Sequence, residues 1–264
     1  MKKPSLLVLL FVFMLALLAA SCSKEYSSSG LAKSPVEDSF NLRIDFKPMV
    51  DTLALHFDST YTNYWNESYT VSAFKFYVSK FDLINTDSNQ VYHLNTDKYF
   101  LVDAADSTTW SVKLLATPFT YNRISFLIGV DSLRNISGAH TGALDSTKGM
   151  FWNRTDGYIM AKLEGKSPLS SMGGNKFNYT IGGFSGENNV LRKPTLLFPF
   201  GQFLQITPGR KSILQVDANV SAWFYNPHQV KIKVTPACTT PGPLAKDVSE
   251  NYSKMFSVSA VINN

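Results

Sequence analysis

The chain has 264 residues, of which 44% are hydrophobic, 13% aromatic and only 17% charged. Few charges and many aromatics exclude a disordered chain, and the length is enough to bury a large core. The formal net charge of +5 falls to about +3 once Lys2 and Lys3 are set aside with the N-terminal segment described next, and the rest is scattered, which excludes nucleic-acid binding.

Residues 1–21 read as an export signal. Lys2 and Lys3 precede an unbroken apolar run, Leu6 to Ala20, which is short for a bilayer span of about 20 residues. The run ends in Ala19-Ala20-Ser21-Cys22. Small residues before a cysteine resemble the lipobox of bacterial lipoproteins, in which the cysteine is acylated and becomes the mature N-terminus. Ala19 stands where the lipobox usually carries Leu, and the plainer alternative is an ordinary cleaved signal with an incidental cysteine. Residues 22–39 include Ser23-Lys24-Glu25-Tyr26-Ser27-Ser28-Ser29-Gly30, a polar tether suited to hold a domain off a membrane. The expectation is an outer-membrane lipoprotein of a Gram-negative bacterium, periplasmic or surface-facing, in contact with lipid through Cys22. With Cys22 acylated, Cys238 is left without a partner for an intramolecular disulfide.

From residue 40 onward, segments of period two recur between turn signals. Asn41 to Lys47 alternates apolar with polar, as a half-buried strand does. Tyr69 to Ile84 is rich in Val, Tyr and Phe, with Phe74, Phe76 and Val78 on one face. Tyr121 to Val130 and Gly157 to Leu163 read as buried strands. Ile213 to Phe224 shows the strictest alternation, and Met255 to Ile262 reads as a closing strand. Gly-, Pro- and Asn-bearing clusters separate them, including Pro236 to Pro243. The helical signal is confined to a short turn at Asp131 to Asn135, with Asp131 as its cap. The pattern predicts an all-β fold over residues 40–264: a single-domain antiparallel β-sandwich, immunoglobulin-like, with a long Gly-containing loop from Asp131 to Asp156.

Motifs for catalysis are missing. The chain has no GxSxG elbow, P-loop, GxGxxG turn or HExxH pair, so the expectation is a non-enzyme. His56, His93, His140 and His228 are too far apart in sequence for a local metal clip, and each is most simply a surface or strand-end residue. His140 stands out because it lies in the long loop, shortly before Trp152. Asp103 and Asp106 have the spacing of a turn, with a calcium or catalytic pair as the other reading. Trp65, Trp110, Trp152 and Trp223 are core residues or members of an exposed binding patch.

Three segments carry a family resemblance: Phe74 to Leu83, Ile124 to Ser132, and Gly149-Met150-Phe151-Trp152 followed by Gly157-Tyr158-Ile159-Met160. In this order they resemble the MbnP-like copper-binding family of periplasmic proteins and lipoproteins. The resemblance implies a β-sandwich that binds a copper ion without catalysis, through histidines and, in some members, an oxidised tryptophan. By that analogy copper is the implied ligand, with His140 and Trp152 as the residues expected near it. Pro48 and Thr180 occupy places where members carry histidines, and neither is a good copper ligand. Met49 and Met150 offer soft sulfur, although methionine is more often core filler. Two functions therefore stand side by side. One is an exported copper-handling lipoprotein serving an exported partner. The other is a metal-free module holding a peptide, a glycan or a partner lipoprotein through aromatic loops.

Overall fold

A computed structural model describes residues 40–264 apart from residues 58, 95–96 and 138–139; the expected signal, the tether and Cys22 lie outside the described residues. Strand alternation builds most of it. The first part of the chain forms β1 (Leu42–Val50), β2 (Leu53–Ala54), β3 (Thr60–Thr62), β4 (Ser68–Asn85), β5 (Gln90–His93) and β6 (Phe100–Asp103). There follow β7 (Ser111–Leu114), β8 (Thr120–Tyr121), β9 (Arg123–Ile128), the short helix α1 (Ser132–Ile136), β10 (Phe151–Asn153) and β11 (Gly157–Lys166). The remainder gives β12 (Lys176–Gly182), β13 (Thr195–Leu197), β14 (Leu204–Gln205), β15 (Ser212–Asn219), β16 (Ala237–Cys238), helix α2 (Pro243–Tyr252) and β17 (Phe256–Ile262).

Two main sheets result. The smaller runs β17-β15-β1-β2, with β7 pairing with the first half of β1. The larger is organised on β4 and runs β13-β9-β4-β11-β12-β16. Most pairs are antiparallel, but β1 lies parallel to β15 and β12 parallel to β16. Along β1 the burial alternates without a break, with Leu42, Ile44, Phe46 and Val50 inward. An aromatic cluster joins the sheets: Phe46 of β1 and Phe256 of β17 meet Phe76 of β4 and Phe126 of β9 edge-on, with centroids 5.0–5.9 Å apart. The quadrupoles of such rings favour this geometry, worth about 0.5–1.5 kcal/mol per pair beyond the area buried.

Two expectations need correction. The alternation from Ile213 to Phe224 is strand only as far as Asn219, whose side chain accepts the amide of Ser221 and starts a 3-10 turn over Val220–Phe224. The turn still buries Val220, Trp223 and Phe224, so apolar spacing continued while the backbone changed. The second is α2, which begins at Pro243 within the cluster read as a separator. The expected turn at Asp131 is α1, with the Asp131 carboxylate accepting the amide of Arg134. Among the described residues no helix is long and apolar enough to cross a membrane.

Candidate functional site

His140 and Trp152 are held by different groups. Nε2 of His140 lies 2.9 Å from the Ser137 hydroxyl and 3.3 Å from the Arg134 carbonyl, and the ring stacks against Tyr158. Both contacts engage Nε2, the ring nitrogen nearest these groups. Trp152 packs over Gly182: a Cβ on that glycine would stand 2.5 Å from Cζ3 of the indole. Gly182 and Thr180 share a face of β12, which puts the Thr180 position beside the indole.

The residues present at that position do not fit copper. The Thr180 hydroxyl donates to the Cys238 carbonyl at 3.4 Å. Its cross-strand neighbour is Lys162, whose ammonium is fixed by the Gly149 carbonyl at 2.8 Å. An ammonium offers no lone pair and a neutral hydroxyl is a poor donor to copper, and the ammonium is itself paired with Glu164 at 3.6 Å. Pro48 is buried in the other sheet, opposite Ala218. Met150 is fully buried. Burial pushes the Cys238 thiol up to about 11, away from the thiolate that a metal requires. Among the described residues, no three His, Cys, Asp or Glu side chains converge as a metal-ligand group.

The other histidines have structural partners. Nδ1 of His93 lies 2.7 Å from Asp82, and the same carboxylate meets Lys193 at 2.6 Å, on the wall of an open cavity of about 540 Å³. Nε2 of His228 meets Glu250 of α2 at 2.7 Å. His56 lies in a loop whose backbone is bonded to the Tyr61 hydroxyl. Asp103 and Asp106 form the expected turn: Asp103 accepts the amide of Ala105 and pairs with Lys75, while Asp106 accepts the amide and hydroxyl of Thr108.

The arrangement best suited to hold a ligand lies elsewhere. In the loop between β3 and β4, and in the segment after the 3-10 turn, the rings of Tyr64 and Tyr225 stack in parallel at 4.4 Å. Both are exposed, at 64% and 39%. Trp65 stands edge-on to Tyr64, its indole N–H donates to the Phe224 carbonyl at 2.8 Å, and the Lys231 ammonium lies 4.5 Å over its ring. Beneath them the carboxylate of Glu67, 4% exposed, accepts the amides of Ile232 and Lys233 and the side-chain amide of Asn63 at 2.7–2.9 Å. A buried carboxylate with three donors is satisfied, and it ties the two loops together. Aromatic surface on so fixed a support is preorganised for stacking against a ligand.

Sequence reading identified Trp65 as a patch candidate but missed Tyr64 and Tyr225. The available signal was an aromatic beside a turn-forming Asn in both loops: Asn63-Tyr64-Trp65-Asn66 and Tyr225-Asn226-Pro227.

No curated protein matches the chain. A solved structure, MbnP from Methylosinus trichosporium, is similar in fold, with a TM-score of 0.56 and 12% identity over 84% of this chain and 97% of that one. A family model described as MbnP matches residues 39–240. With the three sequence segments and the two-sheet fold, that match places the chain: it belongs to the MbnP family.

Proposed function

We propose that this protein is an exported, lipid-anchored, non-catalytic binding protein that uses the MbnP fold to hold a glycan on its exposed aromatic loops. Family membership supports a copper-related binding role as the other reading. The donors present favour the metal-free one, because the Thr180 position faces a fixed lysine and Nε2 of His140 is engaged by the Ser137 hydroxyl and the Arg134 carbonyl. The stacked, exposed Tyr64–Tyr225 pair is the observation that carries the proposal. A sugar ring presents weakly positive C–H groups on its flat face, complementary to the negative face of tyrosine. The carboxamides of Asn66 and Asn226 and the ammonium of Lys231 lie on the same loops as donors for hydroxyl groups.

The test pairs a titration with an elemental analysis. Neutral oligosaccharides should shift the Trp65 indole resonance with a Kd of about 1 mM or tighter, and Tyr64→Ala should weaken binding about tenfold. Protein purified with copper should carry far less than one ion per chain. Stoichiometric copper that drops about tenfold in affinity with His140→Ala would establish the copper reading in its place.

A further inference from the structure

The end of the domain at which residue 40 enters carries an exposed apolar tip. Phe40 lies under the ammonium groups of Lys113 and Lys211, at 5.0 and 4.4 Å, and its neighbour Asn41 bonds to the backbone of Ala116. The end of β17 is also here, with Ile262 opposite Ile213. So is the turn after β13: Val261 donates to the Gln202 side chain, and Asn263 bridges Phe203 and Gln205. In that turn Gln202 donates to the Pro199 carbonyl at 2.9 Å and Gly201 takes a φ of 74°, which only glycine adopts without cost. The result is a stapled turn that holds the Phe200 ring fully out of the protein, 107% exposed. Leu197, Leu115 and Phe203 beside it are 62%, 67% and 42% exposed.

The charge at this end is mainly positive. Residues 40–42, 113–123, 197–213 and 260–264 contain Lys113, Arg123, Arg210 and Lys211 but no Asp or Glu, and the β4–β5 turn bonded to Asn122 adds the single carboxylate of Asp87. An aromatic wedge ringed by cations is the composition that settles into an anionic lipid interface. The covalent geometry agrees. For the tether that composition predicts over residues 22–39, chain statistics give an average span of roughly 20–25 Å, less than the roughly 45 Å breadth of a globular domain this size. Lipid attached at Cys22 would therefore keep the residue-40 end nearest the bilayer.

We infer that this end is a membrane-docking face, with Phe200 inserted among the lipids of an anionic bilayer and the surrounding lysines and arginines on its headgroups. The inference rests on the acylation of Cys22 proposed above. Two lipid contacts, the acyl chains and the wedge, would fix the orientation and leave the opposite end of the domain facing solution. A lone acyl anchor would fix neither.

The test uses the full-length chain purified from membranes, with Phe200→Cys carrying an environment-sensitive fluorophore. The same label at Leu133→Cys serves as control, since Leu133 is exposed and follows the far end of β9. The native Cys238 is buried and Cys22 is acylated in this reading. In vesicles of phosphatidylethanolamine and phosphatidylglycerol, the label at 200 should shift to the blue and be quenched at least about twofold by spin-labelled lipid, while that at 133 is unaffected. Protein that floats with vesicles while the label at 200 stays in water overturns the docking face and leaves the anchor standing. Protein that neither floats nor carries acyl mass on Cys22 overturns both. A blue shift in lipid-free buffer that grows with protein concentration, in a chain that also carries Cys22→Ser, would assign the patch to a second copy of the chain.

Discussion

Gly182 is a position where one added methyl group would meet crowded surroundings. Its backbone needs no left-handed conformation, so alanine is excluded by space alone: the added Cβ would stand 2.5 and 2.8 Å from the Trp152 indole and 3.0 Å from the Tyr158 carbonyl. The backbone on either side of the indole is held, with Phe151 in register with Tyr158 and Asn153 with Gly157 on the next strand. Gly182→Ala should therefore cost about 1–3 kcal/mol, the usual penalty of overpacking, and change the Trp152 fluorescence at temperatures well below unfolding. Unchanged stability and emission would show that the indole is not confined there. Glu67 has the opposite character at the same scale. It is a buried charge whose three donors belong to both aromatic loops, so its value lies in positioning Tyr64 and Tyr225 more than in stability itself.

Helix α2 depends on polar contacts as well as apolar ones. Asn251 donates to the carbonyls of Trp223 and His228, and Glu250 receives His228 at 2.7 Å and Arg192 at 3.4 Å. The hydrogen bond from His228, then the nearby Arg192 charge, holds the Glu250 carboxyl below its ordinary value of 4.5. A depressed folded-state value means that this contribution is present above the ordinary carboxylate range and is lost as pH falls through the depressed one. The stability difference between wild type and His228→Ala should accordingly be present at about pH 5 and narrow steadily as the solution is acidified below the ordinary carboxylate range, in thermal melts. A gap that persists in acid would assign the effect to packing. The same element shows what the sequence could express. The strands of residues 42–50 and 256–262 were legible because each has one face on the core and one on solvent, which forces period two, and that of residues 68–85 because it is rich in Val, Tyr and Phe. Helix α2 was hidden because its cap is Gly242 and its first residue is Pro243, signals shared by any turn. The parallel pairing of β1 with β15 leaves no local trace. The aromatic site had the same difficulty: Trp65 and Phe224 are 159 positions apart, and exposed and buried aromatics look alike in a sequence.

Across the whole domain, Phe256 is where the two sheets meet. Its ring touches Phe46 in its own sheet and both Phe76 and Phe126 in the larger one. The domain closes late in the chain: β15 must find β1 and β17 must then cover β15, so the small sheet exists only when both ends of residues 40–264 are in place. Such long-range pairing binds the sheets into one cooperative unit, in keeping with residues 40–264 forming a single compact body. Phe256→Ala removes a ring from the centre of that junction and should cost about 3–5 kcal/mol. It should also lower the melting temperature while leaving one transition by both near- and far-ultraviolet circular dichroism. Two separated transitions would mean that the large sheet, organised on β4, holds together without the small one.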